Sequence, residues 1–280
     1  MPNDNAAEAV TAATEAVETA ADAASSASQA VEPGLLDPLL GPLYYFIMVP
    51  MVYLALAFMA AAVLLRVALI LRSPAQPFQL ALYPLAKHPR LAALRDAFAM
   101  PVVRRRKPVF WAFLMLFHAG VLLLVLGHLD ILPQINLMPA DSRHMLGWGG
   151  VGVAVTLPLF YFLLRRFRGP DREISTPADY LLLLLLLFLA LLGDLMSWGN
   201  SWTARGFVMT KQDFALYFDG LRSFSLADPR ELLHGSHYHF VVLHVLLANL
   251  FFIVLPFTKI MHTFLAVPIN LLRRLSWKNG

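Results

Sequence analysis

The stretch FWAFLMLFHAGVLLLVLGHLD, residues 110–130, decides the fold. It is long and apolar enough to cross a bilayer, yet it carries two imidazoles, His118 and His128. A second stretch, VVLHVLLANLFFIVLPFTKIMH at 241–262, carries His244 and His262. Burying a neutral imidazole in hydrocarbon is costly unless it bonds to something. Four of the nine histidines nevertheless fall in, or at the ends of, these two segments. One imidazole from each of two helices can hold a haem iron between them. The pattern therefore predicts an all-α membrane domain with two b-type haems, ligated by His118, His128, His244 and His262.

Helix geometry bears on this expectation. His118 and His128 are separated by a rise of roughly 15 Å, enough to stack two haems across a hydrocarbon core of about 30 Å. His244 and His262 are eighteen residues apart. In one straight helix they share a face and lie about 27 Å apart, roughly 12 Å more than the first pair. Pro256 lies between them, and a bend there absorbs part of the mismatch.

Composition sets the class. Of 280 residues, 59% are hydrophobic and only 14% charged, which excludes an ordinary soluble domain. With no cysteine, the chain cannot form disulfides, thiolate metal sites, cysteine-ligated iron–sulfur clusters or c-type haem attachments. The net charge of +4 is small and its basic residues flank apolar runs, so they read as topology signals.

Residues 1–38 form an acidic, alanine-rich tail, and 39–275 the membrane domain. The first 32 residues hold six acids and no base, with neither the basic start nor the apolar core of a signal peptide. Alanines and valines from Ala6 to Val31 step by four and three, as on a helix seam, although alanine is common enough there for this to arise by chance. Five spans are expected, at about 43–65, 109–129, 146–164, 178–198 and 237–258. Leu91, Leu94, Arg95 and Phe98 suggest a short amphipathic helix between the first two. Thr176-Pro177 with Asp179 reads as a helix start.

Charge orients these spans. With the N-terminus outside, only Arg143, Arg205, Lys211, Arg222 and Arg230 of the 22 Lys and Arg fall on the outer side. The positive-inside rule thus favours N-out and C-in in a cytoplasmic (inner) membrane. This orientation puts His118 and His262 near the cytoplasm and His128 and His244 near the outer face.

The pattern H-x9-H on the second span and H-x17-H on the last, with PFTKIMH at 256–262, resembles the gamma subunit of respiratory nitrate reductase. It is also similar to the cytochrome b subunit of the sulfite-reductase-associated electron-transfer complex. The resemblance covers roughly residues 40–275. It implies an inner haem held by His118 and His262 and an outer haem held by His128 and His244. It also implies oxidation of menaquinol or ubiquinol beside the outer haem, and electron delivery to a cytoplasmic iron–sulfur subunit of a hetero-oligomeric respiratory complex. The sequence TPADYLLLLLLL at 176–187 and the loop 199–236 lean towards the sulfur-metabolism branch.

A quinol site needs an apolar slot, a hydrogen-bond partner and a proton exit. Gly127 and His128 match the resembled family's site, where a lysine also serves. The outer loop after the second span has no lysine, and Arg143 stands there by proximity. Asp130 and Asp194, at the outer ends of the second and fourth spans, are candidate proton acceptors, or simply solvated helix-end residues. His234, His237 and His239 crowd the outer start of the last span and could bind quinol, pass protons or bind metal. Ala119, Gly120, Gly127 and Ala248 would let a porphyrin approach the backbone, or would serve helix packing. The arginines of 72–108 and the basic tail face a partner or anionic headgroups.

Two other classes use the same residues. In a transporter without haem, the histidines relay protons or bond to backbone carbonyls. A structural anchor for a soluble enzyme needs none of them.

Overall fold

The computed structural model describes residues 37–72, 87–132, 134–135, 150–202, 211–232 and 237–275. All but the last two residues of the expected N-terminal tail, Arg143, Arg205, His234 and the start of the third span lie outside the described residues. The chain divides into two compact units, Met1–Leu43 and Tyr44–Gly280. The second is described below.

Every element among the described residues is helical. Helices α1 (Asp37–Met48) and α2 (Pro50–Arg72) are followed by two short helices, α3 (Pro89–Phe98) and α4 (Pro101–Arg106). With α2, the long helices are α5 (Pro108–Asp130), α6 (Gly150–Arg166), α7 (Pro177–Trp202) and α9 (His239–Val254), with α8 (Lys211–Arg222) between the last two. Two 3₁₀ turns, Leu255–Phe257 and Lys259–Met261, lead into α10 (His262–Leu275).

Four segments are long and apolar enough to cross a membrane: Leu40–Arg72, Pro108–Asp130, Pro177–Gly199 and His239–Phe257. The expected count was five. The third expected span corresponds to α6, whose 17 described residues begin at Gly150. At about 1.5 Å per residue that length reaches roughly 26 Å, short of the hydrocarbon thickness.

The long helices pack in the order α5 on α6, α6 on α7, α7 on α9 and α9 on α2. Two apolar clusters hold them. Val155, Leu159, Leu163 and Leu187 are buried between α6 and α7, with Phe117, Val121 and Leu124 of α5 against them. Ile47, Met48, Val49, Met196, Phe214, Tyr217, Val241 and Val242 form the other.

The second cluster surrounds a backbone break. Pro50 has no N–H to donate, so the helix is interrupted between α1 and α2. Nearby carbonyls then need other donors, because an unpaired buried carbonyl is costly. Asn249 Nδ2 donates to the Ile47 carbonyl at 2.9 Å, and the Tyr217 hydroxyl to that of Met48 at 2.6 Å. Burial pushes the Tyr217 pKa up, so this donor keeps its proton. Asn249 is 1% exposed. A lone asparagine in an apolar run is a readable signal that sequence analysis passed over.

The short amphipathic helix is present as α3, packed on α10. Its buried residue is Ala93, while Leu91, Leu94 and Phe98 stay exposed. A small side chain lets the two helices approach closely, which turns the larger ones away from that contact.

The last histidine-bearing segment is not one helix, and this corrects the reading of His244 and His262 on a shared face. Helix α9 ends at Val254, Thr258 adopts an extended conformation, and His262 opens α10. The expected ligand core between helices two and five therefore has one member beyond the fifth span. Pro256 lies in the first 3₁₀ turn, and the Thr258 side chain accepts from the Ile260 N–H at 3.2 Å and so caps the second.

Candidate functional site

The site is built from α5, α9 and the turn into α10. His118 and His128 project from α5, His244 from α9 and His262 from the first turn of α10. Helices α5 and α9 are not an extensively packed pair, since α6 and α7 stand between them in the packing order.

His118 and His262 come together from helices distant in sequence. Their ring centroids are 5.9 Å apart at an interplanar angle of 71°. Metal–imidazole bonds are roughly 2 Å long, so two rings sharing one metal have centroids about 6 Å apart. His244 lies close enough to His128 for the two imidazoles to interact electrostatically.

Three of the four rings use the same nitrogen in the same way. His118 Nδ1 meets the Leu114 carbonyl at 2.7 Å and His128 Nδ1 that of Leu124 at 2.8 Å. His262 Nδ1 meets the Lys259 carbonyl at 2.8 Å. Because a carbonyl can only accept, the proton sits on Nδ1 and the lone pair is left on Nε2. A merely packed histidine makes this bond too. It is also the outer-shell bond that orients a ligating imidazole.

His244 differs. Its ring bonds to the backbone of Leu189, while Nδ1 is buried with no protein partner. A buried polar atom of this kind needs an explanation, and a ligand is one. Gly193 of α7 faces the same ring, with space for a Cβ at 3.5 Å from His244 Cε1. Each of the four rings thus has a nitrogen not spent on the protein, a donor set that fits two bis-imidazole irons. Among the described residues there is no group of three or more His, Asp or Glu that could hold a metal ion.

The small residues divide by role. Gly120 was a candidate for porphyrin approach, but it faces α6. A Cβ there would meet Val155 Cγ2 at 2.8 Å and the Ala154 backbone at 3.2 Å. It therefore permits close packing of α5 on α6, the other role open to it.

The expected quinol-site residues other than Arg143 lie on α5 and α7. Gly127 and His128 are neighbours on α5, and Asp130 ends that helix, 4% exposed. Asp194 is 5% exposed on α7, and its carboxylate is turned into the α6–α7 interface. There it accepts from the Thr156 hydroxyl at 2.7 Å, and a Cβ added to Gly152 would overlap it. A solvated helix-end role for Asp194 is thereby ruled out. Thr156 and Gly152 were missed in the sequence because neither stands out from its apolar surroundings. His237 and His239 have ring centroids 6.1 Å apart, and His237 stacks on Phe240.

Fold and imidazole geometry together define a multi-pass helical membrane protein that brings paired histidines together between helices. The family model for the nitrate reductase gamma subunit matches residues 102–277, more than half of the chain, and the chain belongs to that family. This places it among membrane cytochrome b subunits of multi-subunit oxidoreductases. No individually curated protein matches the chain.

Proposed function

We propose that the chain is the quinol-oxidising, dihaem b-type subunit of a respiratory complex in the cytoplasmic membrane. It passes electrons from menaquinol or ubiquinol to a cytoplasmic iron–sulfur partner. His118 and His262 would hold the inner haem, and His128 and His244 the outer. Bound haem b supplies a one-electron couple at each position. The observation that carries this reading is the convergence of His118 and His262 with both Nδ1 atoms committed to backbone carbonyls.

The remaining roles belong to the chain itself. Five spans with the N-terminus outside follow from the placement of arginine and lysine, with α6 as the third span. Gly127 and His128 would line the quinol site, with Asp130, Asp194 and Arg143 as proton acceptors or hydrogen-bond partners. Quinol oxidation at the outer face releases protons outside, so turnover would build a membrane potential. The basic 72–108 segment and C-terminal tail would face the partner subunit. For the terminal acceptor, the 176–187 sequence supports sulfur metabolism, while the family match supports a second reading, nitrate reduction.

Quinol reactivity tests the proposal. Adding a reduced, water-soluble quinol to the oxidised, purified complex should produce the absorption spectrum of a reduced b-type cytochrome. A haem-containing complex that dithionite reduces and no quinol does would remove the quinol assignment.

A further inference from the structure

Two sequence motifs about eighty residues apart meet at one ion pair. Asp179, in the first turn of α7, is 6% exposed. Its Oδ2 accepts from the Thr176 backbone N–H and hydroxyl, both at 3.1 Å, and so caps α7. The same oxygen lies 3.5 Å from Arg166 Nη1 of α6. Its other oxygen, Oδ1, lies 2.7 Å from Lys259 Nζ.

Arg166 is itself held. Its Nη1 donates to the Ser175 hydroxyl at 2.9 Å, and its carbonyl accepts from the Tyr180 hydroxyl at 2.7 Å. The carboxylate that Lys259 meets is therefore fixed to both α6 and α7.

Lys259 begins the second 3₁₀ turn, and its carbonyl accepts from His262 twice, from the backbone N–H and from Nδ1 at 2.8 Å. Met261 packs the end of this three-residue turn into the core, while the Lys259 side chain at its start is largely exposed and reaches the Asp179 carboxylate at its tip. The Lys259 side chain ties it to the α6–α7 corner.

We propose that Asp179 and Lys259 are positioning residues for the inner haem. Their ion pair fixes the Lys259–Met261 turn, and the Lys259 carbonyl in turn sets the orientation and basicity of the His262 imidazole. This inference rests on the reading of His262 as an iron ligand. An outer-shell acceptor makes its imidazole a stronger donor, which favours ferric over ferrous iron. Releasing the turn should weaken that bond and raise the potential of one haem only.

The test is a redox titration with electron paramagnetic resonance on the haem-loaded complex. The inner-haem signal is identified as the one that His118→Ala removes. Lys259→Met and Asp179→Asn should each shift its midpoint upward and move its highest g value, with roughly tenfold weaker haem retention at that site. The outer-haem signals should stay in place, and Lys259→Arg should restore the native values. Lys259→Gln keeps a hydrogen bond without the charge and should give a smaller shift, so it carries the test if Lys259→Met fails to assemble. Unchanged inner-haem signals, or equal shifts in both haems, would overturn the proposal. A wild-type chain without haem would instead overturn the reading on which it rests.

Discussion

His118→Ala should yield a purified chain with about one haem b in place of two, and His262→Ala should remove the same spectral component. His128→Ala and His244→Ala should remove the other. The pairing is the sharp part of the prediction. The 5.9 Å approach of His118 to His262 requires those two replacements to be equivalent in the haem they remove. Loss of a partner that only orients a metal ligand typically costs 10–100-fold in affinity or activity. Loss of the ligand itself should exceed that, so quinol-dependent electron transfer should fall by more than about a hundredfold. The measurements are haem content per chain and turnover with a soluble quinol. If all four variants kept both haems, the ligand assignment would be wrong. If His118→Ala and His262→Ala removed different haems, the pairing would be wrong.

Gly152→Ala should be nearly as damaging, although it lies on neither α5 nor α9. The added Cβ falls on the Asp194 carboxylate, which has little room to retreat because it is buried and bonded to Thr156. Overpacking costs about 1–3 kcal/mol, and breaking a buried hydrogen bond about 1–3 more. Shifts of about 2–4 °C per kcal/mol are usual for chains of roughly this size, so the apparent melting temperature should drop by roughly 4–24 °C. Haem release, followed by loss of the Soret absorption, reports the same event. The double variant Gly152→Ala, Asp194→Ala removes the overlapping group and should regain at least half of the loss, because the two sites couple directly. A single variant as stable as the native chain would show that α6 and α7 do not pack as described.

Much of the fold was legible because apolar runs of about twenty residues have few alternatives to a membrane helix. The long helices α5, α7 and α9 fall within a few residues of their expected bounds, and the Thr176-Pro177-Asp179 start was readable from its capping chemistry. The break after α9 was only half legible. Pro256 signalled a bend, but nothing in the local pattern showed that the helix would stop for two 3₁₀ turns and restart at His262. The mismatch in helical rise between the two histidine pairs was a sign of it. That rise difference arises only if 244–262 is one helix, and it is not.

The site divides in the same way. The four histidines were conspicuous because polar rings are expensive in lipid. Their supporting residues were not. Gly120 and Gly152 look alike in sequence, and only the packing reveals that both serve the approach of α6 to its neighbours. Asp179 and Lys259 each sit in a motif noticed for its resemblance, but contact between residues eighty positions apart leaves no periodic trace. Asp194 stood out as an acid near a helix end, but its burial against Thr156 comes from tertiary packing that leaves no local pattern.

The most direct test of the account is the haem-to-chain ratio of the purified, unmodified protein, measured by reduced-minus-oxidised spectroscopy against protein mass. A b-type alpha band and close to two haems per chain are expected. A colourless protein, or haem that survives simultaneous replacement of His118, His128, His244 and His262, would contradict it.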